Sequence, residues 1–234
     1  MLDSSDATLK NKIDTTLIFM AEGEKNFKFR GVDLKLGKVG IGAIDVGYFK
    51  DFGDSILVDS INTASEKKIG TIGADIFQGK VLVIDYPNQR LCIVNDVPKK
   101  YATASFQPFI NDGGRIKIPL LINGKKENLM FDTGASLFAL LTSVENAKDI
   151  SDGKIVDSLE VTTWGKYYTV LGENTLYDVY FGKTRLKKVL VHYHKDDIFK
   201  NFFNNEKIWG LTGNAFFLDN VVIIDYRNKR FGVL

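Results

Sequence analysis

The chain repeats itself at a fixed interval. Residues 66–77 (EKKIGTIGADIF) recur as residues 206–217 (EKIWGLTGNAFF), and the match runs on without a gap to the end. The offset is 206 − 66 = 140. Over the 29 aligned pairs from 66 to 94, 11 are identical: Glu66, Lys67, Gly70, Gly73, Phe77, Val81, Ile84, Asp85, Tyr86, Asn88 and Arg90. Average residue usage gives about two or three by chance. Two copies of one unit mean two similar lobes, not a solenoid, which needs at least about three repeats. A chain of 234 residues has room for two such lobes.

Each copy reads as strand. Residues 81–84 and 91–94 are short β-rich runs around Asp85-Tyr86-Pro87-Asn88, a hairpin signal, and 221–224 with 231–234 repeat it. Asp85 and Asp225 open these turns, so a turn role is expected for both. Residues 115–122 form a further apolar strand, followed by Asn123-Gly124, a strong two-residue hairpin turn. The return strand, 128–131, leads to Asp132. Residues 162–170 suggest another hairpin with Trp164-Gly165-Lys166 at its tip. Helix is scarce, with one or two turns expected at 196–203 and at 214–218. The pattern predicts an all-β fold. Pro98, Lys99, Lys100 and Pro108 interrupt it, which divides the chain into lobes 1–104 and 105–234.

The chemistry concentrates in Leu129-Met130-Phe131-Asp132-Thr133-Gly134-Ala135-Ser136. Three apolar residues run into a carboxylate, a hydroxyl and a glycine. That order suits a buried acid at the tip of a tight loop, with the glycine letting backbone N–H groups approach the carboxylate. The Thr133 hydroxyl can hydrogen-bond sideways.

These residues carry a family resemblance. The lead-in hairpin, Asp132-Thr133-Gly134-Ala135-Ser136, and Gly210-Leu211-Thr212-Gly213-Asn214 about eighty residues later resemble aspartic proteases of the pepsin/retropepsin superfamily. In that family each lobe has an Asp-Thr/Ser-Gly loop and a later hydrophobic-hydrophobic-Gly segment that wraps it. Leu211-Thr212-Gly213 matches the second element, with threonine in one apolar slot, and Thr71-Ile72-Gly73 matches it in the first half. The resemblance implies a two-lobed acid-protease-like fold whose first lobe is incomplete at its N-terminus. It implies Asp132 as a catalytic acid, with support from Thr133, Gly134, Ala135 and Ser136. It implies Ile72-Gly73 and Leu211-Thr212-Gly213 as wrapping segments. Trp164, Gly165, Tyr167 and Tyr168 are flap candidates; ordinary cross-strand pairing explains the tyrosines equally well. Residues 21–25 suggest a flap hairpin in the first half. The substrate implied is a peptide or protein, with no metal or organic cofactor.

The family's chemistry needs two carboxylates sharing one proton: one takes a proton from water and the other donates to the scissile carbonyl. This sequence has one Asp-Thr-Gly. Subtracting the offset from Asp132 gives 132 − 140 = −8, so the matching acid is expected upstream of Met1. Asp45-Val46-Gly47 and Asp14-Thr15-Thr16 do not fit the loop. Three arrangements stay open: an upstream loop, a homodimer in which two copies of Asp132 meet, or a non-catalytic relative that binds extended peptides by strand addition.

Other features read as plain structure. His192 and His194 face one way on a strand, as two metal ligands would, and Asp196 or Asp197 could be a third; a polar strand end is the favoured reading. Cys92, the one cysteine, reads as a small core residue. The formal net charge of +2 calls for no nucleic-acid partner, and the lysine pairs 67–68, 99–100, 125–126 and 187–188 read as solvated surface. No apolar stretch approaches the ~18 residues of a membrane span. The opening Met1–Asp6 is acidic and polar, unlike a signal peptide. Resemblance to bacterial secreted relatives implies an extracytoplasmic site on the condition that a leader has been removed.

Overall fold

Strands dominate the chain, as the short β-rich runs predict, and the class is all-β. The computed structural model describes residues 13–21, 24–36, 39–48, 70–163, 166–186 and 189–234. Two units separate, residues 1–76 and 77–234.

In the first unit, β1 (Ile13–Ala21), β2 (Glu24–Leu36) and β3 (Val39–Tyr48) form an antiparallel sheet in that order. β1 and β2 pair up to Ala21↔Glu24, the hairpin expected there, although Glu22 and Gly23 at its tip lie outside the described residues. Phe29 is fully buried and meets Tyr48 edge-on at 5.8 Å. Asp45 is part of β3, where Oδ1 accepts from Gly31 N at 3.2 Å.

The second unit carries the remaining strands: β4 (Val81–Asp85), β5 (Arg90–Val94), β6 (Ser105–Pro108), β7 (Ile110–Asp112), β8 (Arg115–Ile122) and β9 (Lys125–Phe131). Then come β10 (Leu140–Thr142), β11 (Ser151–Thr163), β12 (Lys166–Thr175), β13 (Val179–Phe181), β14 (Thr184–Leu186) and β15 (Leu190–Tyr193). β16 (Gly210–Thr212), β17 (Val221–Asp225) and β18 (Arg230–Val233) complete it. One sheet runs β11-β12-β15-β10-β16-β9-β8-β13-β14, with β7 added on β8. The other runs β5-β4-β17-β18-β6 and so joins a hairpin from each repeat copy.

Local sequence accounts for the turns. Asn123 and Gly124 both have positive φ, +48° and +72°. Their reversed turn suits the right-handed twist of β8 and β9, so the ladder closes at Ile122↔Lys125. In the repeat hairpins, Asn88 N and Nδ2 donate to Asp85 Oδ1 at 3.2 and 2.9 Å. Asn228 N and Nδ2 donate to the two carboxylate oxygens of Asp225 at 3.0 and 2.8 Å. These are the side-chain turns expected from the sequence.

Two apolar layers flank the Asp132 loop. Met130, Phe138, Leu141, Val170, Phe203 and Ile208 cluster on one side. On the other, Phe131 meets Phe217 at 5.6 Å and Phe231 at 5.1 Å, both edge-on, and Phe181 meets Phe231 at 5.4 Å. Edge-to-face aromatic pairs contribute about 0.5–1.5 kcal/mol each beyond burial.

Two expectations shift, and one helix is added. Cys92 is exposed, not a core residue, because β5 lies at the edge of its sheet. The helical turns expected at 196–203 form instead as the helix Lys200–Glu206, ended by Lys207 in the left-handed region. A second helix, Val144–Ile150, starts at Ser143, whose Oγ accepts from Asn146 N at 3.2 Å. Among the described residues no helix is long and apolar enough to cross a membrane.

Candidate functional site

β9 enters the loop and β10 leaves it, yet the two do not pair with each other. β16 lies between them, parallel to β9 (Leu211↔Met130) and antiparallel to β10 (Leu141↔Leu211). The chain from 132 to 139 therefore crosses over the end of β16. Its backbone is tied to the 210–215 segment at four points. Asp132 N donates to Thr212 O (3.0 Å), Gly213 N to Phe138 O (2.9 Å), and Ala215 N to Ser136 O (3.0 Å). The Asn214 side chain completes the set, Nδ2 donating to Thr133 O at 3.1 Å. A Cβ on Gly213 would overlap Ala135 O, so only glycine admits this approach.

Asp132 caps the short 3-10 turn Thr133–Ala135, and its Oδ1 accepts from Gly134 N at 2.8 Å. Gly134 supplies room here and is not in the left-handed region: a Cβ would sit 3.0 Å from Asp132 Oδ1. The Asp132 side chain is exposed, contrary to the buried acid expected from the sequence. The apolar run before it is buried, but the carboxylate stands at the loop tip, past the last β9 residue. Thr133, Gly134 and Ser136 are also exposed, and Ala135 is half-buried against the Met130–Phe138 cluster.

The wrapping segments differ in their surroundings. Leu211 is half-buried and Thr212 is fully buried, its Oγ1 without a hydrogen-bond partner in its apolar slot. In the first copy Ile72 is 47 % exposed and Gly73 is exposed too. The flap-candidate hairpin is β11–β12, which pairs to Thr163↔Lys166; Trp164 and Gly165 lie outside the described residues. Tyr167 is 79 % exposed, while the Tyr168 ring meets His194 at 5.9 Å and Phe199 at 6.0 Å.

The histidines do not act together. His192 is buried, with Nε2 3.2 Å from Asp157 Oδ2 and its ring against Phe138. His194 Nδ1 accepts from Asp196 N at 3.1 Å. Among the described residues no group of three His, Cys, Asp or Glu side chains could hold a metal ion.

Sequence reasoning gave no site role to two residues here, Tyr86 and Asn214. Tyr86, on the first-copy hairpin, donates its hydroxyl to Asn214 Oδ1 at 2.6 Å. Burial pushes the Tyr86 phenol up to about 12. The available signal was the repeat itself: Asn214 aligns with Ala74, a polar change inside an otherwise matched segment.

No protein-family model matches the chain, and no curated protein does. Among solved structures, it is similar to a retropepsin-like aspartic protease from Rickettsia conorii. The two are 20% identical over 46% of this chain and 82% of that one, with a TM-score of 0.34. The likeness is distant.

Proposed function

We propose that the chain is an aspartic-type peptidase in which Asp132 is one of two acids that activate water against a peptide bond. One observation carries the reading. The loop backbone is tied to the 210–215 segment at four points, while the Asp132 carboxylate stays exposed at its tip. A loop held by its backbone that presents an exposed carboxylate, one oxygen of which is oriented by the Gly134 N–H, suits acid–base work.

In this reading residues 1–104 and 105–234 are the two lobes and the substrate is a peptide or protein. Thr133, Gly134 and Ala135 support the loop that carries Asp132. Ile72-Gly73 and Leu211-Thr212-Gly213 wrap the two loops, and Tyr167 and Tyr168 on the β11–β12 hairpin are the flap side chains. The second carboxylate comes from a matching Asp-Thr/Ser-Gly loop, either in upstream sequence or in a second copy of the chain. The ionised acid takes a proton from water, whose oxygen adds to the carbonyl carbon; the protonated acid gives its proton to the carbonyl oxygen. The pair titrates as a unit.

The test is cleavage of a peptide library across acid and neutral pH by the protein with both acids present, as wild type and as Asp132→Asn. Turnover is expected only in the wild type, and turnover retained in the variant removes Asp132 from the mechanism. The presence of one Asp-Thr-Gly in 234 residues favours a second reading, a non-catalytic peptide-binding relative. Peptide affinity that survives Asp132→Asn, with no cleavage at any pH, supports it.

A further inference from the structure

Three hydrogen bonds run in one direction from the first repeat copy to Asp132. Tyr86 Oη donates to Asn214 Oδ1 at 2.6 Å, and Asn214 Nδ2 donates to Thr133 O at 3.1 Å. The peptide that carries this carbonyl also carries the Gly134 N–H, which donates to Asp132 Oδ1 at 2.8 Å. The 133–134 peptide plane is thus held at both ends, its oxygen by Asn214 and its N–H on the carboxylate.

The Asn214 amide has one workable orientation. Turned over, its oxygen would face Thr133 O, and two carbonyl oxygens would meet with no proton between them. The Tyr86 hydroxyl, a donor, selects the other orientation. Each bond in such a chain polarises the next, so the last is strengthened by the first. Burial keeps the phenol protonated, since it is pushed up to about 12. The position related to Asn214 by the repeat is 214 − 140 = 74, an alanine with no amide to receive a hydroxyl.

We infer that Tyr86 is a positioning residue for the Asp132 loop: through Asn214 it fixes the 133–134 peptide, and with it the orientation of the Asp132 carboxylate. Its functional meaning rests on the peptidase reading; its geometry does not.

The experiment follows the Gly134 amide by NMR and hydrogen exchange in the full chain, with peptide turnover measured alongside. Tyr86→Phe keeps the ring and removes the hydroxyl. It is expected to shift the Gly134 amide proton and to speed its exchange about 2- to 10-fold, the loss of roughly one net hydrogen bond. Where peptide is cleaved, kcat falls with KM little changed. Asn214→Ala is expected to shift the same resonance, and adding Tyr86→Phe to it is expected to change nothing more. A Gly134 amide unmoved by Tyr86→Phe overturns the relay, as do additive effects of the two substitutions. A shifted amide in a protein that has both acids and cleaves no peptide keeps the relay and removes the peptidase reading.

Discussion

Val83 and Ile223 lie directly opposite each other in the β4–β17 ladder, and they are 223 − 83 = 140 residues apart. That distance is the repeat offset, so each is the other's counterpart. Leu82 faces Ile224, the counterpart of Ile84, and Val81 faces Asp225, the counterpart of Asp85. The two copies thus meet about a local two-fold axis through the 83/223 pair. Their turns obey it as well: Gln89 and Lys229, also counterparts, both have positive φ, 51° and 49°.

The symmetry stops one strand further out, and that sets a first prediction. β18 has β6 on its outer edge (Phe231↔Gln107), whereas the described residues place no strand outside β5. Phe231 is fully buried and its counterpart Leu91 is 56 % exposed. Phe231→Ala is expected to cost about 3–5 kcal/mol. Leu91→Ala is expected to cost less than about 1 kcal/mol. Urea denaturation of the two variants reads the difference directly.

Thr212 buries a hydroxyl with no partner. An unsatisfied buried donor costs roughly 1–3 kcal/mol. Thr212→Val keeps the shape and removes that cost, so it is expected to raise stability by about 1 kcal/mol. A lower urea midpoint in the variant would show that the hydroxyl is satisfied in solution.

Gly213 and Gly73 are counterparts with different neighbours. A Cβ at Gly213 would strike the backbone oxygens of Ala135 and Phe138, which are fixed by hydrogen bonds. At Gly73 it would meet the Asp75 carboxylate, which can rotate away. Gly213→Ala is expected to destabilise by about 3 kcal/mol or more, with faster hydrogen exchange across 132–138. Gly73→Ala is expected to change the midpoint little.

Asp225 gives the pH prediction. Burial pushes its carboxyl up, but the Asn228 and Arg230 hydrogen bonds outweigh burial, and the net direction is below the ordinary value of 3.8. A folded value below the unfolded one stabilises the ionised form, so this contribution is complete above about pH 4 and is lost as pH falls through the folded value. Wild type is expected to exceed Asp225→Asn in stability at neutral pH, with the gap narrowing below about pH 4. Denaturation midpoints of both proteins from pH 7 to pH 2 check it.

Local chemistry was legible in the chain. The Asn123-Gly124 turn, the Asp85 and Asp225 turns and the strand run into Asp132 follow from residues a few positions apart, whose conformational preferences act whatever surrounds them. Burial was less legible. Cys92 sits in an apolar run that suggested the core, and Asp132 follows three apolar residues that suggested a buried acid. In both cases exposure depends on which strand or loop lies alongside, and the run itself carries no record of that.

What the sequence determined by itself was the duplication, the all-β class and the placement of one Asp-Thr-Gly at the end of an apolar strand. Tertiary structure decided that the copies pair about Val83 and Ile223, that Phe231 is buried while Leu91 is not, and that Tyr86 reaches Asn214 across 128 residues of chain. The reason is physical. Turn and strand preferences are set by neighbours in the chain, whereas burial and hydrogen-bond partners are set by neighbours in space.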